Sequence, residues 1–177
     1  MLGNAAVMYG QQFYMTDDLN ADGNWNQSDQ SFTFEMWFLS PSNQVQLASV
    51  INNDLQYHFC MAELNGDNTI STQLWSGGNV CTTTATIDPM QWNHLSVRYN
   101  QSTLGFTVGV NGVDQTWTLS NAYLPPTSQP PGGYRFAIGW TDGTNIAQTS
   151  PFVGQLGQVR IFNGDTGKNG YTYDVSK

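Results

Sequence analysis

Between Ser31 and Phe38 the chain alternates without a break. Phe32, Phe34, Met36 and Phe38 fall on one face, and Thr33, Glu35 and Trp37 on the other. A period of two marks an extended strand with one buried side, because successive side chains leave a pleated backbone in opposite directions. Similar strand-like runs return at Val45–Ile51, Gln56–Leu64, Thr69–Trp75, Val80–Ile87, Trp92–Tyr99, Leu104–Val110, Val113–Leu119, Tyr134–Ile138 and Gln155–Phe162. No segment carries the 3.6-residue periodicity of an amphipathic helix. Many short strands and no helix leave a sandwich or a barrel as the ways to bury the apolar faces. The expected fold class is all-β, an antiparallel β-sandwich.

The breaks between runs have turn chemistry. Asn65-Gly66-Asp67 and Ser76-Gly77-Gly78-Asn79 suit hairpin loops. Asn111-Gly112 between valines is the strongest such signal, because a type I′ turn needs two positive φ angles. Leu124–Gly133, with four prolines, reads as a stiff surface excursion, since strand-like sequence resumes directly after it. With 177 residues and no internal repeat, one domain over 1–177 is expected. A chain of that length buries a core without needing covalent staples.

Composition narrows the partners. Charged residues make up only 10 %, and five cations face thirteen anions, for a net charge of −8. Nucleic acid and anionic membrane surfaces both require a basic patch, so neither is an expected partner. No apolar run approaches the roughly 20 residues that span a bilayer, so membrane insertion is not expected either. The opening MLGNAAVMYG lacks the basic and apolar regions of a signal peptide. Cys60 and Cys81 lie in runs separated by the segment 69–75, which places them too far apart for easy bridging and reads as two half-buried thiols.

Four segments in order resemble the concanavalin A-like, or laminin-G-like, family. They are Ala6–Gly10 with Phe13–Met15, an opening strand pair; Phe32-Thr33-Phe34-Glu35-Met36-Trp37-Phe38; Trp92-Asn93-His94-Leu95-Ser96-Val97-Arg98-Tyr99 with Val110-Asn111-Gly112; and Ile138-Gly139 followed by Phe152–Asn163. The resemblance covers nearly the whole chain and implies a concanavalin A-like jelly roll. It also implies a module that binds glycans or proteins, although the fold hosts glycosidases as well. One departure stands out: where the family's closing strand usually carries Asp, this chain has Gly157. Any rim metal site using that Asp is therefore in doubt.

Catalytic chemistry finds little support. Glycosidases normally set two carboxylic acids across one groove. Here Glu35 and Glu63 are the only glutamates, far apart in sequence, and no strand carries an alternating acidic run. Glu35 reads as an ordinary strand residue, and His94 and His58 as packed histidines. No G-x-S-x-G, His/Cys metal cluster or phosphate-binding glycine loop is present. The protein is not expected to be an enzyme.

The sharpest local motif is Asp18–Asp29, which fits the twelve-residue loop D-x-[DN]-x-[DN]-G-x₅-[DE]. Asp18, Asn20 and Asp22 would converge their oxygens on one Ca²⁺, with Gly23 making the sharp bend. Asn24 would add its carbonyl, Asn26 a direct or water-bridged contact, and Asp29 would close the shell. The loop resembles the dockerin type, except that a strand rather than a helix follows. The open alternative is a polar, turn-rich loop without metal.

Aromatic residues supply the remaining candidates. Trp37 and Trp92 lie in strand motifs and are expected in the core or its wall. Trp140 with Asp142 and Asn145, together with Trp75 and Tyr123, lie at loops or strand ends where a sugar ring could stack while amides and carboxylates bind its hydroxyls. The expected function is a non-catalytic carbohydrate-binding or adhesion module, at an extracellular or virion surface, with a glycan or protein surface as partner. The alternative is a structural, decoration or fibre protein of a virus particle or appendage, self-associating in a larger assembly. A glycosidase comes third.

Overall fold

The computed structural model describes residues 5–10, 14–15, 31–52, 58–74, 80–100, 102–118, 134–139, 151–163 and 170–173. Within them the alternating runs become strands, in chain order β1 (Ala6–Tyr9), β2 (Tyr14–Met15), β3 (Phe32–Leu39), β4 (Val45–Asn52), β5 (His58–Leu64), β6 (Thr69–Leu74), β7 (Val80–Thr86), β8 (Asn93–Asn100), β9 (Gly105–Val110), β10 (Val113–Thr118), β11 (Tyr134–Ile138), β12 (Val153–Asn163) and β13 (Gly170–Tyr173). A seven-stranded sheet runs β1-β12-β3-β8-β9-β10, with β13 also pairing β12; a six-stranded sheet runs β2-β11-β4-β5-β6-β7. The pairings are antiparallel, as the jelly-roll reading requires.

The apolar faces of the two sheets meet in one core. Phe32, Phe34, Met36 and Phe38 of β3 are fully buried, with Leu95 and Val97 of β8, Phe106 and Val108 of β9, and Leu156, Val159 and Ile161 of β12. The facing sheet contributes Ala48, Val50, Ala62, Leu64, Ile70, Phe136 and Ile138. Phe34 and Phe136 join the two layers, their ring centroids 5.5 Å apart and their planes tilted by 51°. Each such side chain contributes about 1.5–3 kcal/mol on leaving water, so this interleaving is the main source of stability.

Local chemistry sets the turns and ends. Asn111 and Gly112 both take positive φ, 51° and 81°, which is the type I′ geometry that twists β9 into β10. Cys60 lies on β5 and Cys81 on β7, with β6 between them. Two strand spacings put their backbones about 10 Å apart, beyond disulfide reach. Cys81 is a buried free thiol whose pKa burial pushes up.

Two features differ from the sequence reading. Ala6–Gly10 and Phe13–Met15 do not pair with each other: β1 pairs with β12 and β2 with β11, in different sheets. Gly10, at φ 82°, ends β1, and the chain passes to the opposite layer over a few residues. The closing run is also joined by β13, whose four residues are too few to announce themselves by alternation.

The outward sides of the two sheets are not equivalent. On the six-stranded sheet Ser49, Ile51 and Ala137 point away from the core and are nonetheless fully buried, Ile51 and Ala137 packing with Met15 in a second small cluster. On the seven-stranded sheet the outward residues remain at least partly open over much of the face. At one end of the sandwich β7 and β10 meet. The Gln115 side chain accepts from the Thr84 backbone N–H at 2.9 Å and donates to the Thr84 hydroxyl at 3.2 Å.

Candidate functional site

The loop residues singled out from sequence lie outside the described residues. These are the calcium loop Asp18, Asn20, Asp22, Asn24, Asn26 and Asp29, and the aromatic-loop group Trp75, Tyr123, Trp140, Asp142 and Asn145. Among the described residues no cluster of three or more His, Cys, Asp or Glu side chains is placed to hold a metal.

What those residues do assemble is an aromatic and polar patch on the outward face of the seven-stranded sheet. The β3 alternation that buries its phenylalanines necessarily turns Glu35 and Trp37 outward. Register then brings neighbours level with them: Arg160 of β12 and Ser96 of β8 flank Glu35, and His94 of β8 lies beside Trp37. The Trp37 and His94 rings are in contact, with centroids 4.8 Å apart and planes tilted by 45°. The β12 bulge between Leu156 and Val159 leaves Gln158 exposed beside this group.

Gly157 explains how the aromatic part is built. A Cβ there would come within 3.2 Å of the Trp37 Cβ and 3.4 Å of the Trp92 Cζ3. Trp92 therefore reaches across β3 on the same outward side as Trp37, its indole edge and the Trp37 Cβ both lying against a residue with no side chain. Any side chain at this position, Asp included, would have to press the Trp37 Cβ back by a few tenths of an ångström.

The polar groups of the patch are uncommitted. Arg98 pairs with Asp114 in the one ion pair among the described residues. Glu35 and Arg160, one strand apart, form no such pair. The Arg160 Nε is buried and has no hydrogen-bond partner. A buried donor left in that state costs about 1–3 kcal/mol. His94 is half-buried, and desolvation lowers its pKa; Arg160 lowers it further, while Glu35 opposes both. Its neutral imidazole is thereby favoured, offering one donor and one acceptor.

Polar residues at the turns behave differently. Asn93 donates to the Asp88 and Gln91 carbonyls, 2.8 Å each, and accepts from the Asn111 amide at 2.8 Å, while the Asn111 Oδ1 accepts from the His94 N–H. In the β5–β6 turn, Asn65 bonds the Thr69 and Ser71 hydroxyls. Asp67 accepts from the Thr69 hydroxyl and N–H, which hold its carboxyl below the usual range.

Among the described residues no two carboxylates are arranged for glycoside hydrolysis. Glu63 lies between the inward Ala62 and Leu64 and so faces outward on the six-stranded sheet, with burial pushing its pKa up. Glu35 faces outward on the opposite sheet. Asp114 shares the Glu35 face, but three strand spacings separate them by about 14 Å, wider than the roughly 5–9.5 Å that the two mechanisms use.

Alternation alone sets Glu35 and Trp37 on one strand face, without marking them as a site. His94, read as a packed histidine, is half-buried on the outward face with its ring against Trp37, and Trp37, expected in the core or its wall, is half-buried on that same face. The available signal was a strand that turns Glu and Trp together away from a phenylalanine face.

A sequence profile of the concanavalin A-like lectin/glucanases superfamily matches residues 14–166. No curated protein matches the chain. Solved structures share the fold at low identity. The CBM40 module of the Ruminococcus gnavus IT-sialidase, bound to α2,3-sialyllactose, aligns at a TM-score of 0.69 with 16 % identity over 93 % of this chain and 92 % of its own. Domain 4 of AbnA, an extracellular arabinanase from Geobacillus stearothermophilus in complex with arabinotriose, aligns at 0.63 with 19 % identity over 90 % and 70 %. Domains LG4-5 of the mouse laminin α1 chain align at 0.61 with 8 % identity over 93 % and 41 %.

Proposed function

The chain belongs to the concanavalin A-like lectin/glucanases superfamily, and from that premise we propose that it is a non-catalytic module that binds a glycan. The observation that carries this reading is the outward patch of Trp37, Trp92, Glu35, His94 and Arg160. It offers ring faces for stacking beside polar groups that the protein does not use for itself. Sugars present just these two needs, an apolar ring face and a rim of hydroxyls. The separation of Glu35, Glu63 and Asp114 supports binding without hydrolysis, and the sugar complexes of the CBM40 and AbnA modules support a glycan as the ligand class. Superfamily members of this type fit an extracellular setting.

The test is a glycan array probed with the purified chain, with and without Ca²⁺, followed by the same array with Arg160→Gln. Specific binders that weaken in the variant are the expected outcome. An array with no binder in either condition ends the proposal.

The cofactor belongs to the same proposal. The oxygen set of Asp18, Asn20, Asp22, Asn24, Asn26 and Asp29 suits Ca²⁺, a hard cation that takes six to eight such donors. Held by the folded state, the ion would raise the melting temperature, by about 2.7 kcal/mol of added stability at a hundredfold excess over Kd. Neither heat nor thermal shift at millimolar Ca²⁺ would remove it. Trp75, Tyr123, Trp140, Asp142 and Asn145 would supply further sugar contacts from the loops.

A further inference from the structure

The outward face does not end at Trp37. Beyond it, on the side away from Glu35 and Arg160, register sets Leu39 level with Gln155, Gln155 with Val7, and Val153 with Tyr9. All five point away from the core, since Phe38, Leu156, Ala6 and Met8 between them point in. Tyr9 is 74 % exposed and Val7 48 %. Tyr9 thus sets an open aromatic ring at the end of a strip that also carries Val7 and Val153. None of the five carries a charge, in contrast to the row of Arg160, Glu35, Arg98 and Asp114 on the other side of Trp37. Among the described residues the Gln155 and Gln158 side-chain amides form no hydrogen bond.

The distance between the two aromatics follows from strand geometry. Tyr9 is two strands from Trp37 and four residues further along, which places them roughly 16 Å apart. A monosaccharide or disaccharide cannot touch both, whereas a linear chain of several sugars can, with the Gln155 amide beneath its middle and Gln158 at the Trp37 end.

We infer that the outward face of the seven-stranded sheet is an extended track for a linear, uncharged oligosaccharide, anchored at Trp37 and Trp92 and ending on Tyr9. The inference rests on the glycan-binding reading and adds to it a chain length, a charge class and a direction. Lack of charge along the track fits a neutral glycan, because the chain's net charge of −8 repels an acidic one.

The experiment is calorimetric titration of the full chain with size ladders, from disaccharide to hexasaccharide, of arabino-, xylo-, cello- and malto-oligosaccharides. With the ladder that binds, affinity is expected to rise with length until Tyr9 is reached. Tyr9→Ala should flatten that rise, costing about five-fold on the hexasaccharide and nothing on the disaccharide. Tyr9→Phe, which keeps the ring, should restore it. Tyr9 is exposed, so melting temperatures of both variants should match the parent and exclude misfolding. Equal affinity for disaccharide and hexasaccharide, or an unchanged ladder in Tyr9→Ala, overturns the track while leaving glycan binding in place. Concentration-dependent dimers in sedimentation that Tyr9→Ala abolishes also overturn it, since a second copy would then occupy the face. Failure of every neutral ladder beside a positive array shows that the ligand is of another class, and failure of the array as well removes the underlying reading.

Discussion

Two polar regions that start from adjacent residues of β8, Asn93 and His94, have opposite characters. Asn93 is 1 % exposed, and its side chain is fully engaged, bonding Asp88, Gln91 and Asn111. His94 and the groups around it touch one another through rings and charge, but Glu35, Arg160 and Gln158 make no hydrogen bond within the chain among the described residues. The first region spends its polar groups on holding the β7–β8 and β9–β10 connections together. The second leaves them available. Amides and charges in a strand-rich protein thus do not signal function by their identity; what separates the regions is whether their hydrogen bonds close internally.

The contrast can be broken most forcefully at Asn93. Asn93→Ala orphans two carbonyls and the Asn111 amide, a loss of about 3 kcal/mol. By the usual entropy of unfolding this is roughly 10 °C in Tm for a chain of this size. Glycan affinity, measured below the lowered Tm, should stay at the parental value. A Tm unchanged by the substitution would mean that the network is ornamental.

Arg160→Gln and Glu35→Gln probe the other side. Each should weaken glycan binding by about tenfold, or about 1.4 kcal/mol, while Tm moves by no more than a surface substitution does. If instead both variants lose stability and keep affinity, the patch is structural and the distinction between the regions collapses.

The smallest expected effect is a pH dependence. Burial disfavours the His94 imidazolium, so the unfolded chain binds that proton more readily than the folded one. Its contribution to stability is full above the unfolded value of 6.5 and is lost as pH falls below that value toward the depressed folded one. Thermal scans from pH 7.5 down to 5 should show the parent losing Tm slightly faster than His94→Gln. A parallel decline in the two proteins would show that His94 titrates in the folded state as it does in the unfolded one.

The sandwich was legible because alternation is a local property: the phenylalanines of β3 and the Asn111-Gly112 turn declare strand and hairpin without reference to anything distant. The patch was not, because it depends on register between strands remote in sequence. Nothing in the residues near Glu35 says that Arg160 will stand level with it, and nothing around Gly157 says that two tryptophans need its missing side chain. The motif that sequence did make prominent, Asp18–Asp29, lies outside the described residues.

The Gln115 contacts with Thr84 have a consequence for how the protein behaves at high concentration. β7 and β10 are the terminal strands of their sheets at one end of the sandwich, and β7 carries no charge or proline. Bare strand edges of that composition invite a foreign strand to add on. Here one side-chain amide engages the Thr84 N–H and hydroxyl, ties the two edges to each other, and takes up a group that an incoming chain would use. Resistance to strand addition at this end therefore draws on Gln115 as well as on the acidic surface.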